Sequence, residues 1–220
     1  MIPHSLIDPL ALTLVLGGTC AATLLRCGWR ESREAVGVIL RLLRPRFDAA
    51  SVRAAMAGYV QRIDTDGLLR AEPRATGDAE IDEVIAALAH DRSTASLAQS
   101  FESHRQHRLA ASQRAGWVLG QAAELAPVLG LAGTLVALGQ LSGIAAEGGQ
   151  FASAIGSAVS TTLYGLVFAN FLFAPLAGAI ARQSAAEDAA RRAVMDWLAE
   201  HANAARPHLG PAPDTKSKAA

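Results

Sequence analysis

The fold prediction rests on one apolar segment, Ser160-Thr-Thr-Leu-Tyr-Gly-Leu-Val-Phe-Ala-Asn-Phe-Leu-Phe-Ala-Pro175. It lies within 34 consecutive residues, 148–181, that include no charged side chain. About 20 apolar residues cross a bilayer as a helix, so this run predicts a transmembrane helix with residues to spare. A plain lipid anchor needs none of the polar, small and helix-breaking residues found here, which are Thr161, Thr162, Gly165, Asn170 and Pro175. The run therefore predicts a helix that packs against other helices and takes part in movement or conduction.

Positive charge is distributed unevenly along the chain of 220 residues. All 20 lysines and arginines fall in 26–114 and 182–218. Loops rich in Lys and Arg stay in the cytoplasm. Two further apolar runs, 6–25 and 125–146, bring the predicted transmembrane helices to three. The sequence thus predicts an all-α membrane protein with its N-terminus outside and a helical cytoplasmic domain between helices 1 and 2.

The first apolar run has the features of a retained transmembrane helix. Asp8 is a suitable N-cap and Pro9 a suitable first helical residue. A secretory signal peptide would carry cations before its apolar segment, whereas here Arg26, Arg30 and Arg33 follow it. We therefore expect this helix to stay in the membrane, with its C-terminal end in the cytoplasm.

Residues 28–114 are charged and lack the alternating pattern of strands, so they are predicted to be helical. Within them, Glu34 to Phe47 has apolar residues at helical spacing and predicts a basic amphipathic helix near the membrane surface. The predicted organisation begins with a transmembrane helix at 1–27, a cytoplasmic helical domain at 28–114 and a transmembrane helix with a cytoplasmic extension at 115–146. It continues with a periplasmic turn at 147–150, a transmembrane helix at 151–182, and a cytoplasmic helix with a disordered tail at 183–220.

Composition and motifs argue against several classes of function. A net charge of zero gives no reason to expect nucleic-acid binding. Cys20 and Cys27 lie seven residues apart and fit neither a disulfide framework nor a metal-binding pair. His104 and His107 are interpreted as part of a solvated basic face rather than as a metal site. Since the sequence shows no nucleophile–base pair and no phosphate-binding loop, neither enzyme activity nor a cofactor is predicted.

The apolar runs offer hydroxyl groups but no group that could relay a proton across the membrane. Ionisable side chains in lipid are costly and mark function where they occur, yet 125–146 and 148–181 contain no Asp, Glu, His, Lys or Arg. Threonine hydroxyls could line a wet path, although membrane threonines commonly bond to their own backbone instead. A proton path would therefore need a carboxylate from another chain. Glu124, at the cytoplasmic mouth, is either an exit group or a boundary residue.

Several motifs resemble one family in the same order along the chain. Ala126-Pro-Val-Leu-Gly-Leu-Ala-Gly-Thr-Leu135, the segment from Ser160 to Asn170, and Phe173-Ala-Pro-Leu-Ala177 resemble MotA, in the MotA/TolQ/ExbB proton-channel superfamily. Leu14-Val-Leu-Gly-Gly-Thr19 and Gly67-Leu-Leu-Arg-Ala-Glu72 resemble further MotA segments. The first MotA transmembrane helix has no counterpart here, so the three-helix, N-out topology is that of TolQ and ExbB.

The resemblance implies a flagellar stator subunit that forms a proton channel with a MotB-type partner and converts proton motive force into motor torque. It further implies a homopentamer in the bacterial inner membrane, surrounded by lipid, with the titrating Asp on the single-span partner. The alternative within the superfamily is a TolQ- or ExbB-like energiser of an outer-membrane process, with a TolR- or ExbD-like partner. A purely structural membrane scaffold is the alternative outside it.

The resemblance also assigns roles to individual residues. Glu72 matches a charge that contacts the rotor protein FliG in MotA, whereas Asp64 stands where the family has Arg, and Arg62 is nearby but out of register. For Pro127 the alternative is a simple proline at a helix end. The predicted site residues are the channel-lining Thr134, Thr161 and Thr162, the conformational-coupling Pro127 and Pro175, the rotor-contact Arg62 and Glu72, and the interface residues Tyr164, Gly165 and Asn170.

Overall fold

A computed structural model describes residues 8–43, 45, 47–66, 75–91, 93–139 and 148–204, and among these residues there is no strand. The predicted all-α class is therefore confirmed. The helices are α1 (Pro9–Cys27), α2 (Trp29–Leu42), α3 (Ala49–Asp66), α4 (Ala79–Asp91), α5 (Thr94–Gly139), α6 (Gly148–Val167), a π-helix (Phe168–Phe173) and α7 (Ala174–Ala204). Of the turn predicted at 147–150, residues 148–150 belong to α6, so the prediction is wrong for them. Residue 147, the segment 67–72 and the tail predicted from Arg206 lie outside the described residues.

Two helical segments, Ala95–Gly139 and Ala154–Ala204, are long and apolar enough to cross a membrane. A third span is counted if α1 and α2, which meet at an angle of 119°, are taken together. The second segment continues from α6 through the π-helix into α7 without a break. At about 1.5 Å per residue it exceeds the roughly 30 Å of a hydrocarbon core.

The start of α1 is fixed by the predicted cap. The backbone N–H of Ala11 donates to the Asp8 carboxylate at 3.2 Å, and Pro9 is the first helical residue. The end of the next helix was predicted wrongly, because α2 stops at Leu42 and Phe47 lies outside it. Pro45 explains the difference, since the ring of a proline disfavours helical conformation in the residue before it.

The chain divides into two compact units. Unit 1 consists of Met1–Pro45 and Arg108–Ala186, and unit 2 consists of Arg46–His107 and Glu187–Ala220. The core of unit 1 is built largely from small residues, among them Ala115, Ala122, Ala126 and Ala169. Small side chains allow helix backbones to approach closely, which is the usual way that helices pack in lipid.

Unit 2 has the core of a water-soluble helical bundle. Large apolar side chains from α3, α4, α5 and α7 are buried together, including Met56, Ile85, Phe101 and Leu198. Charged groups are held at the edge of this core by ion pairs. Such a core obtains its stability from the removal of large apolar side chains from water.

Arg191 is the centre of the ion pairs in unit 2. Its guanidinium donates to both oxygens of Asp78 at 3.0 and 2.8 Å and to Glu187 at 2.9 Å, and it lies 4.2 Å from the centroid of the Phe47 ring. Burial by itself would lower the pKa of Arg191, but the hydrogen bonds to Asp78 and Glu187 outweigh burial and raise the pKa above its ordinary value. The charge is therefore buried but fully paired.

Candidate functional site

Helices α5 and α6 cross in unit 1 with their backbones in close contact. A Cβ atom at Gly165 would lie 2.5 Å from the carbonyl oxygen of Ala126. A Cβ atom at Gly130 would lie 2.8 Å from the carbonyl oxygen of Thr161. Both positions therefore require glycine, because the atoms that a methyl group would meet belong to the opposing backbone. The predicted interface residue Gly165 lies at this crossing.

Thr161 belongs to the same crossing. Its side chain is 2% exposed and faces Gly133, where a Cβ atom would lie 3.0 Å from the Cβ of Thr161. Its hydroxyl donates to the carbonyl oxygen of Ala158 at 2.8 Å. The structure thus places Thr161 in the helix interface, with its hydroxyl satisfied by its own backbone, and separates it from the other two threonines of the predicted site.

Thr134 and Thr162 lie together on an open groove of about 390 Å³ next to the crossing. The Thr134 hydroxyl donates to the carbonyl oxygen of Leu131 at 2.6 Å, whereas the Thr162 hydroxyl makes no hydrogen bond to any residue that the structure describes. The rest of the lining is apolar and consists of Ala158, Val159, Leu163 and Leu166. The groove therefore combines two hydroxyl groups with a surface on which an apolar helix could pack.

None of the described residues that line this groove has an acidic or basic side chain. The sequence of α5 from residue 125 to its end, all of α6, the π-helix and the start of α7 contain no Asp, Glu, His, Lys or Arg. Hydroxyl groups can hydrogen-bond to water or to a carboxylate, but they do not release a proton near neutral pH. The groove as it stands can line a proton path and cannot supply its titrating group.

The π-helix lies between the groove and Pro175, which is the second residue of α7. The backbone N–H of Ala174 donates to the carbonyl oxygen of Ala169, five residues earlier. Pro175 has no N–H with which to continue either an α-helical or a π-helical ladder. A helix bends readily where a π-helical turn is followed by a proline, which lacks the N–H donor.

Asn170 supports this turn from within its own helix. Its side-chain amide donates to the carbonyl oxygen of Leu166 at 2.9 Å, in the turn where α6 passes into the π-helix. The predicted contact of Asn170 with a neighbouring subunit stays a prediction. Pro127 lies inside the 46-residue helix α5, so the alternative of a proline at a helix end is wrong for this position.

Tyr164 joins α6 to the start of α1. Its hydroxyl oxygen accepts a hydrogen bond from the backbone N–H of Asp8 at 3.0 Å. The Ser157 hydroxyl donates to the Asp8 carboxylate at 3.1 Å. Asp8 is therefore more than a cap, because it also ties α1 to α6. Sequence reasoning found the cap but missed this link, since nothing local connects residues so far apart.

Two ion pairs lie at the other end of unit 1. Arg114 donates to Glu34 at 3.0 Å, and Arg26 lies 4.0 Å from Glu124. Both members of the second pair are more than half exposed. Such an exposed pair contributes little to stability. Glu124 is thus placed beside a cation, and its proposed role as an exit group for protons stays a prediction.

The remaining predicted residues belong to unit 2 or fall outside the described chain. Arg62 is exposed on α3, and its Nε donates to the carbonyl oxygen of Gly58 at 3.1 Å. Glu72 lies outside the described residues. His104 lies 3.1 Å from Glu83. In the part of the chain that the structure describes, no cluster of three or more His, Cys, Asp or Glu side chains could hold a metal ion.

Comparison with known proteins gives consistent results. Residues 75–193 match the MotA/TolQ/ExbB proton channel family. "Motility protein A" of Cereibacter sphaeroides is 24% identical over 193 residues, which is 87% of this chain and 76% of the relative. The flagellar MotAB stator complex from Bacillus subtilis is similar with a TM-score of 0.78 at 20% identity, covering 90% of this chain and 80% of that chain. MotAB of C. jejuni gives a TM-score of 0.79 at 16% identity, covering 91% and 80%.

Proposed function

Because this chain belongs to the MotA/TolQ/ExbB proton channel family, we propose that it is a MotA-like subunit of a flagellar stator. In this proposal it spans the bacterial inner membrane and assembles as a homopentamer around a MotB-type partner. Protons pass between the two proteins, and their flow is converted into motor torque. The similarity to a motility protein and to two MotAB structures supports the stator over other members of the family.

The groove that contains Thr134 and Thr162 is the observation that carries the proposal. It is open and apolar, and it joins two hydroxyl groups on facing helices, with no ionisable side chain among the described residues that line it. A single-span partner helix with an Asp would fill the apolar surface and bring the missing carboxylate to the hydroxyls. The unbonded Thr162 hydroxyl is then available to donate to that carboxylate while it is ionised.

The proposed conformational step uses the π-helix and Pro175. Loss of charge on the partner's Asp when it binds a proton would weaken its contact with Thr162. The helix below the groove can respond because Pro175 leaves one carbonyl oxygen without a backbone donor. Pro127 would give α5 a second flexible point, next to the contact of Ala126 with Gly165. Movement of these two helices would reach unit 2, since α5 and α7 both continue into it.

Contact with the rotor protein FliG would involve unit 2. Arg62 is an exposed cation on α3 and is available to a protein partner. In rotor binding Arg62 would act together with Glu72, although Asp64 stands where the family has Arg. The TolQ- or ExbB-like energiser is the competing function. It predicts a TolR- or ExbD-like partner that lacks a peptidoglycan-binding domain, so the identity of the co-purifying single-span protein separates the two.

Substitution of Thr162 by Val tests the channel directly. Valine keeps the shape of threonine and removes only the hydroxyl, so we expect the complex with its single-span partner to assemble normally. Proton uptake should fall by about tenfold, since a hydrogen bond to a charged group is lost. The measurement is acidification of proteoliposomes that hold the complex and a pH-sensitive dye, under an imposed membrane potential.

The matched control is Thr13→Val. Thr13 is an exposed threonine of α1 whose hydroxyl donates to the carbonyl oxygen of Pro9 at 2.8 Å, and its loss should leave flux unchanged. Unchanged flux in an intact Thr162→Val complex would contradict the channel role of this residue. An equal loss in both variants would point to a general effect of removing membrane hydroxyls.

A further inference from the structure

Helix α2 leaves α1 at a sharp turn that only glycine adopts easily. Gly28 has φ 91° and ψ 157°, in the region that side chains with a Cβ avoid. The angle of 119° between the two helices is 29° from a right angle. If α1 spans the bilayer, α2 cannot continue through it and instead runs close to the plane of the membrane surface.

The surface of α2 is divided into three faces. One face packs on the core of unit 1 through Ala35, Ile39 and Leu42. The second is an exposed apolar stripe formed by Trp29, Val36, Leu40 and Leu43, with Trp29 73% and Leu43 83% exposed. We call this surface the α2 stripe. The third face is exposed and carries Arg30, Arg33 and Arg41. An inward face, an apolar face and a cationic face together are typical of a helix embedded at a membrane interface.

The cations beside the α2 stripe are only partly neutralised. Arg30 lies 3.7 Å from Glu34, but Glu34 is also bonded to Arg114 at 3.0 Å. Arg33 and Arg41 have no ion pair with any residue that the structure describes. In the sequence, Arg44 and Arg46 follow directly. This end of the molecule therefore has unpaired positive charge next to exposed apolar side chains.

The charge balance indicates what covers this surface. Apart from Asp8 at the far end of α1, the described part of unit 1 contains three carboxylates, Glu31, Glu34 and Glu124, against seven arginines, Arg26, Arg30, Arg33, Arg41, Arg108, Arg114 and Arg182. The same surface of a second copy would be cationic and would repel it. Phosphate groups of anionic lipids match the cations, and acyl chains match the stripe.

We propose that α2 is a recognition site for anionic phospholipids of the cytoplasmic leaflet. The α2 stripe enters the acyl-chain region to a shallow depth, while Arg33 and Arg41 bind lipid phosphates. Trp29 lies at the level of the headgroups, where indole rings are favoured. The site holds the inner end of α1 at a fixed depth. Lipid binding at this site does not depend on proton conduction. A failure of the stator proposal would therefore leave it unaffected.

Tryptophan fluorescence tests this proposal on the full chain in lipid vesicles. The chain has three tryptophans, and Trp117→Phe with Trp197→Phe leaves Trp29 as the only emitter. Vesicles contain mixtures of phosphatidylcholine and phosphatidylglycerol in which one lipid at a time carries bromine on its acyl chains. We expect brominated phosphatidylglycerol to quench Trp29 more than brominated phosphatidylcholine at equal mole fraction. Bromine near the headgroup should quench more than bromine near the bilayer centre.

Two substitutions separate charge from structure. Arg33→Gln with Arg41→Gln should lower the preference for phosphatidylglycerol by about fivefold for each arginine removed. Arg33→Lys with Arg41→Lys keeps both charges and should keep most of the preference. Arg62→Gln removes an exposed arginine from α3, in unit 2, and should leave the preference for phosphatidylglycerol unchanged.

Three results would overturn the proposal. Equal quenching by the two lipids would show that α2 does not select anionic headgroups. Absence of quenching by any brominated lipid would show that protein, such as a second copy of the chain, covers the α2 stripe. A loss of preference in Arg62→Gln as large as in the double Gln variant would show a general effect of net charge.

Discussion

Unit 2 buries its large apolar side chains, whereas unit 1 exposes many of them. In unit 2 they are inside, and Ile81, Leu88 and Leu198 are fully buried. In unit 1 many are outside, as Leu131 and Phe171 show with 58% and 78% exposure. A large exposed apolar surface is unfavourable in water, and it is typical of a surface that lies against lipid or another protein. The two units thus differ in where their large apolar side chains lie, although α5 and α7 contribute to both.

The two units also differ in how polar groups are used. Unit 2 pairs its buried charge completely, as at Arg191, and gains stability from an apolar core. Unit 1 has no charge at its α5–α6 crossing and obtains close contact from Gly130 and Gly165. Helix α5 therefore packs through large side chains in unit 2 and through small ones in unit 1. Leu97 and Phe101 of α5 fill the core of unit 2, whereas Ala122 and Ala126 of the same helix face the narrow interface of unit 1.

The same substitution at two leucines gives the strongest test of this contrast. Leu198→Ala removes a side chain with 0% exposure from the core of unit 2, and should lower the free energy of unfolding by about 2–5 kcal/mol. Loss of that packing should be visible as faster hydrogen exchange of the α4 amides in the detergent-solubilised chain. Leu131→Ala shortens a side chain that is 58% exposed, and should change stability by less than about 0.5 kcal/mol. A large loss at Leu131 would mean that this surface is buried against protein.

Glycine substitutions test the narrow crossing in unit 1. Gly165→Ala would place a methyl group 2.5 Å from the Ala126 carbonyl oxygen, so the helices must separate. We expect a loss of about 1–3 kcal/mol, as for other overpacked sites. The measurement is the temperature at which the chain in detergent loses its single gel-filtration peak, together with proton flux of the complex.

Gly156→Ala is the matched control for that experiment. Gly156 also lies on α6, but a Cβ at this position would meet no described residue within 4 Å outside its own stretch of helix. Alanine should therefore be neutral there, or stabilising by up to about 1 kcal/mol, because glycine is a poor helix former. Equal destabilisation at both positions would contradict the view that the α5–α6 contact determines the requirement for glycine.

Local patterns in the sequence predicted the features that depend on neighbouring residues. The helical class, the cap at Asp8, and the absence of ionisable groups from the runs that form α5 and α6 all follow from periodicity, capping chemistry and composition. For the candidate site, the motifs selected Thr134 and Thr162, which share one groove. They also selected Thr161, which lies one residue from Thr162 but faces the crossing, since adjacent residues on a helix point about 100° apart.

Contacts between distant segments were not predictable in this way. Asp8 and Tyr164 are 156 residues apart, and Arg191 and Asp78 are 113 residues apart. Each pair depends on how whole helices pack, and a single sequence does not encode that in a local signal. The π-helix was missed for a different reason. Its residues are as apolar as those of an ordinary α-helix, and only Pro175 and the bond from Asn170 mark the change of spacing.

Tyr59 offers the smallest expected effect and a test of the core of unit 2 by pH. Its side chain is 2% exposed, and its hydroxyl has no hydrogen-bond partner among the described residues. Tyr59→Phe therefore removes an unsatisfied group, and near neutral pH it should be neutral or stabilising by up to about 1 kcal/mol. Thermal unfolding followed by circular dichroism measures the difference.

Burial raises the pKa of Tyr59 above its ordinary value of 10.0, which gives the comparison a definite pH dependence. The unfolded chain releases the phenol proton near the ordinary pKa, while the folded chain retains it. This contribution to stability is therefore fully present below the ordinary pKa and is lost as pH rises towards the folded value. The wild-type chain should lose more stability than Tyr59→Phe between about pH 8 and about pH 11. Parallel losses in the two proteins would mean that water reaches the Tyr59 hydroxyl, and that the core of unit 2 is less closed than its packing indicates.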